Sequence, residues 1–306
     1  MSTRSQARPK AGPTGRNVDA LGAFLTCSMY FVFATTFVAA KFGLQSFPPF
    51  VMGSIRTALA ALFLFFLCLR GGYAFPREPR RLLAGGLLGF LMAGAPSTVG
   101  LWGVQHTQAS LATVIMATQP FLVAALAHRL LANDRLSRRK VLGLATGFLG
   151  VGLISLDKTG ASVELSLVGQ LAILANAVSV SLAAVFGRAM SRHWQVLPFT
   201  AVQTAGGFVL ALAAAVVFER EAGVQASPAG VAAVVYLALV PTLLGYLLWV
   251  FLLARHRASS VSSFAFAQPA FGILIGWLVL AEPFGWLTVV GMMLITWSIL
   301  TVNRGR

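Results

Sequence analysis

The sequence predicts an all-α integral membrane protein of ten transmembrane helices, built as an inverted repeat of five plus five. Three observations carry that expectation. Hydrophobic residues make up 58% of the chain and charged ones 10%, with a mean hydropathy of +0.82; a soluble domain carries roughly 25% charge. Apolar runs near the roughly 20 residues that cross about 30 Å of hydrocarbon occur ten times, joined by short linkers. One stretch also occurs twice: Ala109 to Pro120 (ASLATVIMATQP) returns 149 residues later as Ala258 to Pro269 (ASSVSSFAFAQP), with Ala-Ser and Gln-Pro coinciding.

The elements follow in order. Residues 1–19 place Arg4, Arg8, Lys10 and Arg16 among Pro, Gly and Ser, which reads as a disordered basic tail. The first apolar run, 20–42, ends near Val38-Ala39-Ala40, a signal-cleavage-like triplet. It outruns the 7–15 residues of a signal core and reads as a true span. Runs at 49–69, 82–104, 109–131 and 139–156 complete a first repeat, 20–158. Runs at 167–187, 196–218, 229–254, 258–280 and 285–302 form the second, 159–306. Cys27 and Cys68 lie inside apolar runs and read as small hydrophobes rather than a disulfide.

Charge sets the orientation. With the tail inside and the spans alternating, 19 of the 23 basic residues fall on the cytoplasmic side, three (Lys41, Lys158, Arg220) fall outside, and Arg56 lies within the second span. That is the positive-inside rule, and one missed span would scramble it. The expected location is the inner (plasma) membrane, multi-pass, with both termini cytoplasmic. The net charge of +15 raises the question of nucleic acid, but no basic run with interleaved aromatics supports that partner.

The repeat extends past the opening stretch. Ala95-Pro96-Ser97-x-x-Gly100 is echoed by Val240-Pro241-Thr242-x-x-Gly245, and Gly143 by Gly291. Five spans is an odd number, so the second copy enters from the opposite side. Pro96, Pro120, Pro241 and Pro269 fall within spans, where each removes a helical hydrogen bond and kinks the helix. The carbonyls of Met116 and Ala265, four residues before Pro120 and Pro269, are expected to lose their donors. Such carbonyls are tolerated only against protein or a watery cavity. Paired broken helices in matching halves are the sequence pointer to a midplane solute site.

These residues resemble the EamA branch of the drug/metabolite transporter superfamily. The matching positions are Lys41 closing TTFVAAK, Arg56 after Phe47-Pro48-Pro49, Gly245-Tyr246 with Trp249, Gln268-Pro269, and Ala281-Glu282-Pro283 followed by Gly291. One departure stands out: Asn133-Asp134 where the family often has Gly-Glu. Within the branch the chain resembles most the aromatic amino acid exporters of the YddG type. The resemblance implies export of metabolites, amino acids or drugs.

Each polar residue in a span has a bland reading beside the functional one. Ser110, Thr113 and Ala117, like Ser259, Ser262 and Phe266, share a helix face, which means close packing or cavity lining. Gln119, Gln268, Asn176 and Ser179 either tie to a neighbouring helix or contact substrate; an unpaired amide in hydrocarbon costs several kcal/mol. Gly143 and Gly147 read as a packing pair. Arg56 lies two turns into its span, so its stem is expected to carry the guanidinium to the outer interface in a structural or gating role. Lys41 and Glu282 sit at helix ends and are expected to anchor or gate the outer mouth. Trp102 and Tyr246, six and five residues after kink prolines, are expected to flank the cavity.

The four histidines lie at span ends without metal-ligand spacing, and no Asp-rich motif, His-Cys cluster or Gly-rich phosphate loop is present. Enzyme and channel are the minor alternatives, and no cofactor is implied. The expected mechanism is alternating access around a cavity walled by the third, fourth, eighth and ninth spans plus the first and sixth. With no acidic residue deep in a span, neutral or zwitterionic solutes, amino acids with aromatic or apolar side chains, are expected over organic cations. A proton-coupled exporter of drugs or other metabolites is the runner-up. Partners reduce to the solute and membrane lipid, and a monomer suffices.

Overall fold

Among the described residues, ten helices, α1 to α10, carry the architecture. The computed structural model describes residues 18–107, 112, 115–131, 134–156, 166–191, 194–280 and 285–304. Helix α1 is Ala20–Leu44, opened by the Asp19 carboxylate accepting from the Gly22 amide at 2.7 Å. Helices α2 (Pro49–Arg70) and α3 (Pro79–Gln105) start on prolines, which have no amide to leave orphaned in a first turn. Helix α4 (Gln119–Leu130) is followed by α5 (Arg138–Leu156), α6 (Leu167–Met190) and α7 (Val196–Phe218). Helix α8 (Pro228–Arg255) is capped by Ser227. Helix α9 (258–280) comes in three pieces, and α10 is Trp286–Arg304.

Among the described residues, seven of these helices (α1, α2, α3, α6, α7, α8 and α10) are long and apolar enough to cross a membrane. Helix α4 has 12 described residues, and the longest piece of α9 has 14. The four prolines explain where helices change pitch. Pro96 and Pro241 sit in wide turns, Pro96–Gly100 in α3 and Ala238–Leu244 in α8; a wide turn accommodates a residue that cannot donate to the turn before it. Ahead of Pro269 the chain instead tightens into a 3₁₀ stretch, Ser263–Phe266. There the expectation of a free carbonyl is corrected: the Ala267 amide turns back to Ala265 and Phe264, so the Ala265 carbonyl is engaged.

Contacts sort the helix ends into two sets. At one end, Gly22 of α1 lies against His256 after α8, and Gly85 of α3 against Trp194 before α7. There too Arg188 of α6 donates to the Leu253 carbonyl, Asp134 before α5 accepts from Ser259 of α9, and Asn303 of α10 donates to Ser263. At the other end, Ser46 meets Ser227 at 2.7 Å, and the Glu219 carboxylate accepts from the Val51 amide at 2.8 Å, capping α2. Successive helices therefore run in alternate directions. The basic loops gather at the first end, hereafter the basic end.

Packing pairs up under a shift of five helices. Helix α1 lies on α8 and α9 as α6 lies on α3 and α4; α2 lies on α8 as α7 lies on α3; α2 packs on α7, and α5 on α10. The α5–α10 seam bears out Gly143 and Gly147 as packing residues: Ser298 of α10 donates to the Gly143 carbonyl, and Gly147 faces Ser298 and Phe266. Both cysteines are free, as expected.

Candidate functional site

Helices α1, α3, α4, α6, α8 and α9 meet around a cavity of about 120 Å³, the six expected from the sequence, and α2 adds Arg56. At the roughly 30 Å³ that a water occupies in the liquid, this is room for about four waters. Its wall is mostly apolar. Tyr30 and Phe33, one turn apart on α1 and edge to face with each other at 6.0 Å, meet Trp249 and Tyr246 of α8 edge to face at 6.4 and 6.3 Å between centroids. Gly245 makes this possible: a Cβ there would come within 2.6 Å of the Phe33 ring. Phe37, Met92, Leu101, Ile173 and Val180 line the rest with Met116.

Four polar atoms break that apolar wall. Tyr30 Oη, Arg56 Nε, Gln119 Nε2 and Asn176 Oδ1 are buried without a hydrogen-bond partner, and all four residues line the cavity. Buried polar groups are paired in the great majority of cases, and each orphan costs about 1–3 kcal/mol. Four around one cavity make a site whose partners must come from a ligand or from water. Two are donors, one is an acceptor and the tyrosine hydroxyl is both. Asn176 is steered there by Gly100, where a Cβ would sit 3.0 Å from Nδ2; that nitrogen reaches only the Met116 sulfur, at 3.7 Å. Gln119, the first residue of α4, and Gln268, beside the start of the last piece of α9, both line the cavity.

The structure gathers Arg56, Pro96, Gln119, Asn176, Pro241, Tyr246 and Gln268 at the cavity. Pro120 and Pro269 are buried just behind the two glutamines. Two expectations, for Arg56 and Trp102, are corrected, and for Ser179 and the Ser259 face the packing alternative is the one seen. Arg56 does not reach the outer interface: it is 3% exposed and points at Tyr246, Nη2 to Oη 3.5 Å. The cause is Gly53, one turn earlier, whose missing side chain lets α2 touch the Ser97 carbonyl of α3. Trp102 lines not the cavity but a separate pocket of about 770 Å³ between loops of the end opposite the basic one. Its ring lies 4.2 Å from that of His106 there, tilted by 30°. Ser179 donates to the Leu91 carbonyl at 3.1 Å and ties α6 to α3. Ser259, Ser262 and Phe266 are buried in packing. Lys41 is exposed at the end of α1; Ser110, Thr113 and Glu282 lie outside the described residues.

Tyr30 and Phe33 were missed; with Phe37 they recur at helical spacing along the first apolar run. Asp134, read as a loop residue, is 3% exposed. Its carboxylate accepts from Lys140 Nζ at 2.6 Å, from the Ser259 amide at 2.9 Å and from the Ser259 hydroxyl. Lys140 also donates to that hydroxyl, at 2.8 Å. The α4–α5 loop is thereby locked onto the start of α9 at the basic end.

Comparison with known proteins gives one consistent picture. The EamA-like transporter family matches residues 20–156 and again 167–304. The chain is 24% identical over 269 residues to the uncharacterized transporter YoaV of Bacillus subtilis, covering 88% of this chain and 91% of that one. It is 24% identical over 281 residues to the uncharacterized inner membrane transporter YedA of Escherichia coli K12, covering 91% and 89%. A probable amino-acid metabolite efflux pump of Salmonella typhimurium is 24% identical over 287 residues, covering 89% and 91%. A solved crystal structure superposes with a TM-score of 0.78 at 17% identity, over 92% of this chain and 97% of that one, which establishes a shared fold.

Proposed function

Because the chain belongs to the EamA-like transporter family, we propose that it is a ten-span inverted-repeat carrier exporting small zwitterionic amino acids with apolar or aromatic side chains. The observation that carries this reading is that four residues lining one aromatic-walled cavity each carry a buried, unpartnered polar atom. Donors on Arg56 and Gln119 suit a carboxylate; acceptors on Asn176 and Tyr30 suit an ammonium; the rings of Phe33, Tyr246 and Trp249 suit an apolar side chain. No carboxylate is among the described cavity-lining residues, which disfavours organic cations. The Salmonella relative's name as an amino-acid metabolite efflux pump points the same way.

Contacts that pair up under a shift of five helices and the double family match support the inverted repeat and its division near 158/159. The gathering of basic loops at one end supports cytoplasmic termini. Alternating access is then a rocking of the halves about the cavity. A YddG-type aromatic amino acid exporter is the finer form of the same reading. Uptake of a panel of labelled amino acids into proteoliposomes tests it. Saturable uptake of phenylalanine, leucine or tryptophan is expected, with Gln119→Ala and Asn176→Ala losing most of it. Transport of amines or drugs with no amino acid uptake would overturn the reading in favour of the drug exporter.

A further inference from the structure

Among the described residues, Arg56, Lys140 and Arg188 are cations buried to 3–4% exposure. Two of them have strong protein partners. Lys140 lies 2.6 Å from the Asp134 carboxylate, and Arg188 donates to the Leu253 carbonyl. Arg56 does neither. Its one hydrogen-bond partner among the described residues is the Tyr246 hydroxyl at the limiting distance of 3.5 Å, and its Nε has none. A guanidinium carries five N–H donors in a planar fork that fits a carboxylate through two of them at once. Burying that group beside an apolar cavity is costly unless an anion completes it. Arg56 is also held firmly, since Gly53 one turn before it sits against the Ser97 carbonyl.

We infer that Arg56 is the carboxylate anchor of the cavity, so that the carboxylate is the obligatory half of the substrate and the ammonium the dispensable half. This rests on the proposed solute site and goes further in ranking the two poles. Apolar monocarboxylates lacking an amino group are then ligands, and apolar amines lacking a carboxylate are not, because their ammonium would meet the guanidinium. Gln119 Nε2, also unpartnered, supplies a second donor. Tyr246 Oη is freed to follow whichever group Arg56 binds.

The test uses the purified full-length protein and three probes of one side-chain size: L-phenylalanine, 3-phenylpropionate and 2-phenylethylamine. Ligand-induced thermal stabilisation in detergent reads binding, and uptake of labelled phenylalanine into proteoliposomes reads transport. Phenylalanine and 3-phenylpropionate are expected to stabilise the wild type and 2-phenylethylamine is not. Arg56→Gln is expected to weaken 3-phenylpropionate binding by roughly tenfold to a hundredfold, the range for losing charge-assisted hydrogen bonds. Arg56→Lys keeps the charge but loses the fork, so it is expected to bind more weakly than wild type and more tightly than Arg56→Gln. The wild-type comparison needs no variant to fold. If 2-phenylethylamine binds as well as 3-phenylpropionate, or 3-phenylpropionate fails to bind, the anchor is overturned even where phenylalanine is transported. If 3-phenylpropionate binds through Arg56 while phenylalanine is not carried, the anchor stands and the amino acid reading falls.

Discussion

Lys140→Met is the perturbation whose effect can be worked most fully from the structure. The Lys140 and Asp134 side chains are 4% and 3% exposed, 2.6 Å apart, and both bond the Ser259 hydroxyl. Removing the ammonium leaves a buried carboxylate with only the amide and hydroxyl of Ser259. Breaking a buried pair from one side costs about 3–5 kcal/mol, a large part of a total stability of about 5–15 kcal/mol. Asp134→Asn alone strands the lysine and is expected to cost about the same. The double variant removes both charges while the asparagine oxygen still accepts from the Ser259 amide, so its cost falls well below the sum. Reversible unfolding in mixed micelles of rising SDS fraction, followed by tryptophan fluorescence, measures all three and closes a double-mutant cycle. Single variants costing under about 0.5 kcal/mol, as at exposed pairs, or strictly additive costs, would refute the buried latch.

That latch also marks where sequence reading stops. Helix positions, the six cavity helices and the lining role of both glutamines were legible, because apolar runs and a repeat leave a one-dimensional trace. Asp134 was not: a short acid in a basic loop looks solvated until the loop folds onto Ser259. The direction of Arg56 depends on Gly53 touching Ser97, a contact between helices that spacing cannot show. Trp102 was misplaced by counting turns. The wide turns of α3, Phe90–Gly94 and Pro96–Gly100, rotate everything after Gly100 relative to a helix of 3.6 residues per turn. Tyr30 and Phe33 were hidden in a helix apolar on every face, where an aromatic stripe has no polar contrast.

Further outcomes follow from the same geometry. In a background lacking Cys27 and Cys68, cysteines at Gln105 and Gln225 should react with an impermeant thiol reagent added outside, and cysteines at Glu78 and Ser137 should not; labelling of Glu78 from outside would invert the orientation. Gly53→Ala drives a Cβ to 1.7 Å from the Ser97 carbonyl whereas Gly86→Ala meets nothing within 4 Å, so the first should lower stability by about 1–3 kcal/mol as overpacking does and the second leave it unchanged, in the same SDS titration. Pro120→Ala and Pro269→Ala each return a helical donor; both variants should insert normally and transport poorly, and wild-type uptake at equal expression would show the breaks to be incidental.

The central claim is a carrier that moves an apolar zwitterion down its own gradient. Of the eight acidic residues, none of those described lines the cavity, and proton coupling generally needs an embedded carboxylate. The direct measurement is counterflow in proteoliposomes holding the purified chain, with labelled phenylalanine outside and a pH gradient imposed in one arm. Saturable uptake is expected, stimulated by unlabelled phenylalanine preloaded inside and unchanged by the pH gradient. Accumulation above the external concentration, driven by the pH gradient and abolished by Glu282→Gln, would contradict it and make Glu282 the coupling residue.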